Sequence, residues 1–286
     1  MKVLVLGGGQ VATAVINGAL QPHEVVRLGR EKLDITDGVG LAAALADIRP
    51  QWIINAAAYT AVDRAEDEPA AAQAVNDTAV ASLAQGALQH GCRLLHISTD
   101  FVFDGKSNRA YKPADATNPL SVYGSTKLAG ERHVLANPAG IVLRTSWVYA
   151  SDGKNFVLTM LKLMREREQL GVVCDQIGAP TWASSIAAAI WALVAADAPG
   201  GIYHWSDLGV ASWYDFAVAI QEESMERGLL TRAANILPIA SAAYPTRATR
   251  PAFSLLDTSG ARATLAIPAR HWRHNLRTML DELRTA

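Results

Sequence analysis

Tyr123 and Lys127, with Thr99 upstream, are the residues whose types and spacing most readily do chemistry. They lie in the strings Ser98-Thr99-Asp100 and Tyr123-Gly124-Ser125-Thr126-Lys127. On a helix, a spacing of four puts phenol and ammonium on one face. A nearby cation favours phenolate and lowers the tyrosine pKa. Bringing a phenol from roughly 10 to about 7 takes about 4 kcal/mol. A tyrosine tuned in this way passes a proton to or from a carbonyl oxygen near neutral pH. A hydroxyl such as that of Thr99 can hold the same oxygen in place.

Such a set works only if strands and helices bring it to one edge. The β-branched and leucine run at 3–6 stops at glycine and reads as a buried parallel strand. Strands are also expected at 25–28, 52–55, 93–98 and 140–145, with helices at 11–20, 38–48, 70–89 and 120–136, the last opened by Asn118-Pro119. A helix-like run covers 63–69. This alternation predicts an α/β fold with a Rossmann-type doubly wound parallel sheet. After about residue 147 the pattern loosens. Helices are expected at 155–168, 184–196, 212–227 and 271–283, and short strands at 171–174 and 201–205. The stretch 235–267 reads as irregular and dotted with proline. The division this suggests is a dinucleotide-binding domain over 1–149, with the chain returning to it near 178–200. Residues 150–286 then form mainly a smaller α/β C-terminal substrate-binding cap.

The string Gly7-Gly8-Gly9-Gln10-Val11-Ala12 follows the first strand and opens a helix. Gly7 and Gly9 let the backbone approach a pyrophosphate, and the helix start at Gln10 and Val11 offers free N–H groups. An NAD-selective fold places an acid about 20 residues further on. That place holds Leu28-Gly29-Arg30, with no carboxylate, and Arg30 is suited to a 2′-phosphate. NADP(H) is therefore expected in preference to NAD(H), which stays as the alternative. Asp34 and Ile35 would touch the adenine edge. Asn55-Ala56-Ala57-Ala58 ends the third strand, and its small side chains let a nucleotide lie against the backbone. The positive nicotinamide ring would assist Lys127 in tuning Tyr123.

Longer strings narrow this reading. They are Asn55-Ala56-Ala57-Ala58-Tyr59-Thr60-Ala61-Val62-Asp63, Ser98-Thr99-Asp100-Phe101-Val102-Phe103-Asp104-Gly105 and Asn118 through Glu131. Arg144-Thr145-Ser146-Trp147-Val148-Tyr149, Asp175-Gln176-Ile177-Gly178-Ala179-Pro180-Thr181 and Tyr244-Pro245-Thr246 complete them. Over nearly its whole length the chain resembles the extended short-chain dehydrogenase/reductase family, in its sugar-nucleotide reductase branch. The resemblance implies NAD(P)H-dependent reduction of the C4 keto group of a dTDP-linked keto sugar. That sugar would be dTDP-4-dehydro-6-deoxy-L-mannose and the product dTDP-L-rhamnose. Tyr123 would then be the proton donor, Lys127 its electrostatic partner and a ligand of the nicotinamide ribose, and Thr99 the hydroxyl on the reacting carbonyl. Ala58, Tyr59 and Thr60 would border cofactor and sugar. Thr60, Val62, Asp63, Asp100 and Trp147 would line the substrate pocket.

Taken alone, Asp63 also reads as an acid at a helix start, Asp100 as a turn cap and Trp147 as core packing. Two departures from the family pattern stand out. The glycine loop is one residue shorter and ends in alanine, and Phe101 stands where the family often has tyrosine. Other readings of the same fold are a different NDP-4-keto-6-deoxysugar reductase, an epimerase, or a nucleotide-binding regulatory subunit without turnover. The complete Thr99, Tyr123 and Lys127 set argues against the last.

Bulk properties exclude further classes. The 286 residues carry a net charge of −1, so no basic field exists to hold nucleic acid or an anionic membrane. Half the residues are hydrophobic and no apolar run reaches the ~20 residues of a membrane span. Met1-Lys2 runs straight into a strand, without the h-region of a signal peptide. Cys92 and Cys174 read as reduced thiols of a cytoplasmic protein. The histidines lack metal-ligand spacing, so no metal is expected. The resemblance also admits a homodimer.

Overall fold

Val3, Leu4, Val5 and Leu6 are fully buried, because both faces of their strand are covered. Alternate residues serve different layers, as the two-residue period of a strand requires. Val3 and Val5 enter one core with Ile54, Leu95 and Leu143, while Leu4 and Leu6 enter the other with Ile53, Leu94 and Val142. Each such side chain contributes about 1.5–3 kcal/mol on leaving water.

The computed structural model describes residues 1–19 and 22–285. Its first half runs β1 (Lys2–Leu6), α1 (Gln10–Asn17), β2 (Glu24–Leu28), α2 (Gly38–Ile48), β3 (Trp52–Asn55), α3 (Val62–Asp67) and α4 (Pro69–Gln73). A π-helical turn (Ala74–Thr78), α5 (Ala79–Gln89), β4 (Arg93–Thr99), α6 (Val122–Leu135) and β5 (Ile141–Thr145) follow. The second half holds β6 (Val148–Tyr149), α7 (Phe156–Glu166), β7 (Gln169–Val173), β8 (Ile177–Gly178), β9 (Thr181–Trp182), α8 (Ala183–Ala195) and β10 (Gly201–His204). It closes with β11 (Ala211–Ser212), α9 (Trp213–Glu226), β12 (Asn235–Ile239), α10 (Ser259–Leu265) and α11 (Trp272–Thr285).

The main sheet has the order β10-β5-β4-β3-β1-β2, and every pair in it is parallel. From β1 the chain crosses to β2 on one side and returns to β3 on the other. The switch point therefore lies beyond the carboxyl ends of β1 and β3, where open α/β sheets take ligands. The chain re-enters this body late. Helix α8 packs on α1, with Trp191 Nε1 donating to the Val15 carbonyl at 2.8 Å, and β10 pairs with β5. A third core joins α7, α9 and α11 through Met160, Phe216, Ile220, Met279 and Leu280. Among the described residues, no helix is long and apolar enough to cross a membrane.

Several elements differ from the sequence expectation. The helix expected over 11–20 ends at Asn17, and Leu20 lies outside the described residues. The helix expected over 120–136 starts later, because Ser121 is its cap: Gly124 N–H donates to Ser121 Oγ at 3.1 Å. The long helix expected at 70–89 is interrupted by the π turn. The turn carries Asn76 to the loop after β3, where its side chain accepts from Tyr59 N at 2.9 Å and donates to Tyr59 O at 3.1 Å. π-bulges of this kind gather at functional sites. The stretch 235–267 is not wholly irregular: β12 pairs in parallel with β7, and α10 lies beyond it. Pro238 sits in a two-stranded ladder with a free edge, the setting that tolerates a missing N–H.

Glu223 on α9 is fully buried and ties α9 to α11. It accepts from Arg227 Nη1 at 3.0 Å, Arg273 Nε at 2.6 Å and Arg277 Nε at 2.9 Å. Although burial opposes it, hydrogen bonds from Arg277 and Arg273 hold its carboxyl at about 2, below the ordinary 4.5. With a folded pKa below the unfolded one, the stabilisation is complete above about 4.5 and is lost as pH falls through about 2. Glu223→Gln should therefore lower the unfolding free energy at pH 7 by about 2 kcal/mol, and the deficit should shrink on acidification. Urea unfolding across this range measures it, and a deficit independent of pH would contradict the assignment.

Candidate active site

Thr99 is the last residue of β4, and the chain turns away there into a short 3-10 turn, Asp100–Val102. Its Oγ1 accepts from Phe101 N at 3.1 Å and donates to Asp100 Oδ1 at 3.1 Å. Tyr123 and Lys127 occupy successive turns of α6 and line the same cleft as Thr99. That cleft measures about 570 Å³, and Gly9, Gln10, Val11, Ala58, Thr60, Val62, Asp100 and Trp147 also line it. A second cleft of about 400 Å³ is lined by Gly7, Gly9, Arg30, Asp34, Ile35, Ala57, Ala58, Tyr59 and Thr60. Gly9, Ala56, Ala58 and Thr60 belong to both, so the two form one trough along the switch point.

The glycine loop is shaped by its contacts. Gly7 has φ +121°, and a Cβ there would come within 2.9 Å of the Ala56 carbonyl carbon. A Cβ on Gly9 would meet nothing within 4 Å. Gly9 caps α1 without any side-chain hydrogen bond, and no acidic residue occupies the first turn. At the far end, the Arg30 side chain is 90% exposed, with Nε 3.6 Å from Asp34 Oδ2. Asp34 accepts from Thr36 N at 3.0 Å and Thr36 Oγ1 at 2.7 Å, which keeps its carboxyl below the usual range.

Lys127 lines the cleft with Tyr123, as the helical spacing predicts, but its amine takes its hydrogen-bond partners from the end of β4. Its Nζ is 2.6 Å from the Ile97 carbonyl oxygen and 3.0 Å from His96 Nε2. Burial brings Lys127 down to about 7, against the pull of Glu131. Desolvation pushes the Tyr123 phenol up to about 12, with the Thr99 hydroxyl opposing and the Asp100 charge adding to the rise. Among the chain's own groups desolvation dominates at Tyr123, and the Lys127 amine is engaged at the end of β4. Asp100 is buried and raised to about 6, despite the Ser254 and Thr99 hydroxyls. Beneath it, Glu131 is paired bidentately with Arg144, at 2.7 and 2.9 Å, and accepts from Ser98 Oγ at 2.5 Å.

Asp63 is placed differently from the other expected residues. It sits in the first turn of α3, and its carboxylate accepts from Ala248 N at 3.1 Å and Arg250 Nη2 at 2.8 Å. Arg250, not Asp63, forms part of the cleft wall. Trp147 combines both of its readings. It takes φ +47° and stacks on Trp213 at 3.6 Å with planes 3° apart, while still lining the cleft. Gln10 bridges to the loop before α7: Nε2 donates to Lys154 O at 3.0 Å, and Oε1 accepts from Asn155 Nδ2 at 3.1 Å. Phe101 meets Tyr123 edge to face at 5.6 Å. Sequence reasoning missed Trp213, Lys154 and Arg250 in the wall, and His96 and Asn55 beneath Lys127. Traces of signal exist for Asn55, which opens the quoted string at the end of the third strand, and for Trp213. Its Nε1 donates at 3.2 Å to Gln176, which lies in the quoted Asp-Gln-Ile-Gly string.

Comparison with known proteins gives the family of the chain. The family model described as the RmlD substrate binding domain matches residues 1–285. A dTDP-4-dehydrorhamnose reductase of Aggregatibacter actinomycetemcomitans is 40% identical over 290 residues, covering 97% of this chain and 98% of the relative. The crystal structure of a dTDP-4-dehydrorhamnose reductase from Clostridium acetobutylicum superimposes with TM-score 0.94 at 34% identity, over 99% of this chain and 100% of that one. A Bacillus anthracis dTDP-4-dehydrorhamnose reductase, solved in complex with NADP, gives TM-score 0.92 at 31% identity, over 98% and 99% of the two chains. With a family model spanning the chain and relatives this similar along their full lengths, the protein belongs to the dTDP-4-dehydrorhamnose reductase family.

Proposed function

We propose that the protein reduces the C4 keto group of dTDP-4-dehydro-6-deoxy-L-mannose to dTDP-L-rhamnose, with NADPH as the hydride source. The observation that carries this reading is the single trough joining the glycine loop to Thr99, Tyr123 and Lys127. The residues at its cofactor end fit a dinucleotide. The start of α1 has no side-chain cap and no acid, and the backbone at Gly9 stands open to the trough where a Cβ would project into it. A helix N-terminus left in this state favours a diphosphate. Arg30 at the rim suits a 2′-phosphate, and Ala57 and Ala58 leave room for the nucleotide to lie on the backbone. NADPH bound there supplies the hydride.

The chain's own groups do the rest. The sugar carbonyl oxygen sits between the Thr99 and Tyr123 hydroxyls. Thr99 turns its proton from Asp100 to that oxygen. Tyr123 gives up its proton as negative charge develops on the oxygen. A phenol near 12 is still acidic enough for this transfer, because a secondary alkoxide is far more basic than phenolate. Hydrogen bonds aimed at that oxygen are the largest catalytic term expected of the protein. Arg250, held by Asp63, faces the same cleft and suits the diphosphate of the sugar nucleotide. The Trp147–Trp213 stack offers an apolar platform beside the sugar.

Purified protein mixed with this keto sugar and NADPH should consume the absorbance of the reduced nicotinamide. No oxidation with this or any related NDP-keto sugar would sink the reading. Tyr123→Phe should lower kcat by about 10²–10⁴-fold while leaving cofactor affinity nearly unchanged. Gly9→Ala should cost the fold under about 1 kcal/mol yet weaken NADPH severalfold, measured by melting temperature and fluorescence titration together. Arg30→Ala should weaken NADPH by roughly tenfold and NADH hardly at all. Equal losses would remove Arg30 from the 2′-phosphate.

A further inference from the structure

The hydrogen bonds under Lys127 have a direction, and it is fixed two residues deeper. Asn55 Oδ1 accepts the Ala57 amide at 3.1 Å, so Asn55 Nδ2 is the atom facing His96 Nδ1 at 3.0 Å. An amide nitrogen only donates, so Nδ1 must accept. His96 is fully buried, and burial first and Lys127 second hold its pKa well below the ordinary range, so the ring is neutral. A neutral imidazole that accepts at Nδ1 carries its proton on Nε2. That proton points at Lys127 Nζ, 3.0 Å away. An ammonium has no lone pair to receive it, whereas a neutral amine does. As an amine, Nζ accepts from His96, donates one hydrogen to Ile97 O, and keeps one for the cleft that Lys127 lines.

We propose that His96 is a positioning residue for this reduction: fixed by Asn55 in its Nε2–H form, it docks Lys127 as the neutral amine and releases it toward the cleft once Nζ takes a proton. The inference rests on Lys127 being the lysine of the reductase set. Protonation puts N–H against N–H. His96 cannot relieve this by moving its proton to Nδ1, because Asn55 Nδ2 stands there and the Ala57 amide prevents Asn55 from turning over. Nζ must therefore leave. In a turnover, Tyr123 protonates the alkoxide and the released ammonium returns one proton to the Tyr123 phenolate. The resulting amine redocks on His96, and a proton from water recharges it for the next cycle. No proton passes through His96 itself, since the amide beyond Nδ1 has none to give.

The other groups around Lys127 set its balance. Glu131 lies one turn further along α6 and favours the ammonium, while its pairing with Arg144 on β5 limits that pull. Tyr123 lies one turn before. Asn76 of the π turn is neutral and engaged with Tyr59 and Thr126. Burial, on the opposite side of the balance, brings Lys127 to about 7, where release and docking both occur at physiological pH.

Two NMR readouts on the whole protein test this without depending on turnover. With ¹⁵N-labelled histidine, His96 should show a bare Nδ1 and a protonated Nε2. The opposite tautomer overturns the proposal. With ¹⁵N-labelled lysine, Lys127 Nζ should titrate near neutrality in the wild type. Asn55→Asp keeps an oxygen for the Ala57 amide and offers another to a proton on Nδ1, so it should invert the tautomer. The Lys127 titration, and the matching limb of the kcat/KM profile, should then rise by about one pH unit or more. A Lys127 titration unmoved beside an inverted His96 also overturns it. If these NMR results hold but no keto sugar is reduced, the latch stands and the reductase reading is what fails.

Discussion

Helix α6 lies where it does because two of its residues have no side chain. A Cβ on Gly124 would come within 2.3 Å of the Phe101 carbonyl oxygen, and one on Gly130 within 2.2 Å of the Asn76 carbonyl oxygen. The first contact presses the start of the helix onto the turn after β4. The second presses its middle onto the π turn. Everything chemical in the site follows from this double approach. Tyr123 reaches the level of Thr99, Lys127 drops onto the end of β4, and Asn76 is brought within reach of both Thr126 and the Tyr59 loop. The site is thus built by backbone packing first and polar contacts second.

Low polarity around these groups is the other half of the arrangement. Lys127, Glu131, Arg144, Asp100 and His96 are all buried within a few turns of one another. In such surroundings a charge survives only when paired, and an unpaired group gives up its charge instead. Glu131 and Arg144 take the first course through a bidentate pair. His96 takes the second, and burial draws Lys127 part of the way toward it. The acid–base groups of the cleft are therefore poised by desolvation, with Asp100 near 6 and Lys127 near 7, rather than by a cation beside a phenol.

Periodicity and punctuation carried much of this structure. The strands at 52–55 and 93–98, the helix at 38–48 and the glycine loop all announce themselves by apolar runs bounded by turn residues, the second strand running one residue further in the structure. The trough lining was largely legible too, because strand ends and the first βα turn are where an open sheet binds ligands. What stayed hidden depends on long-range placement. Arg250 lies 187 positions from the Asp63 that holds it, and no spacing rule links them. Trp213 meets Trp147 face to face although the two lie far apart in the sequence. His96 looks like an ordinary strand residue, since its partners Asn55 and Lys127 come from a neighbouring strand and a helix. The direction in which Lys127 points escaped as well: a four-residue spacing fixes the face of a helix but not which neighbour a long side chain prefers.

The π turn at Ala74–Thr78 also determines how the gene for such a chain can change length. A π turn is an α-helix with one residue too many. Removing one residue from this segment would restore regular helix geometry and keep the backbone hydrogen bonds satisfied. It would also rotate all that precedes it by about 100° relative to α5. Asn76 would swing off the Tyr59 backbone, and the loop that lines both halves of the trough would lose its anchor. A deletion that is harmless to the helix would therefore be damaging to the trough, and the odd residue persists as a spacer rather than as a defect.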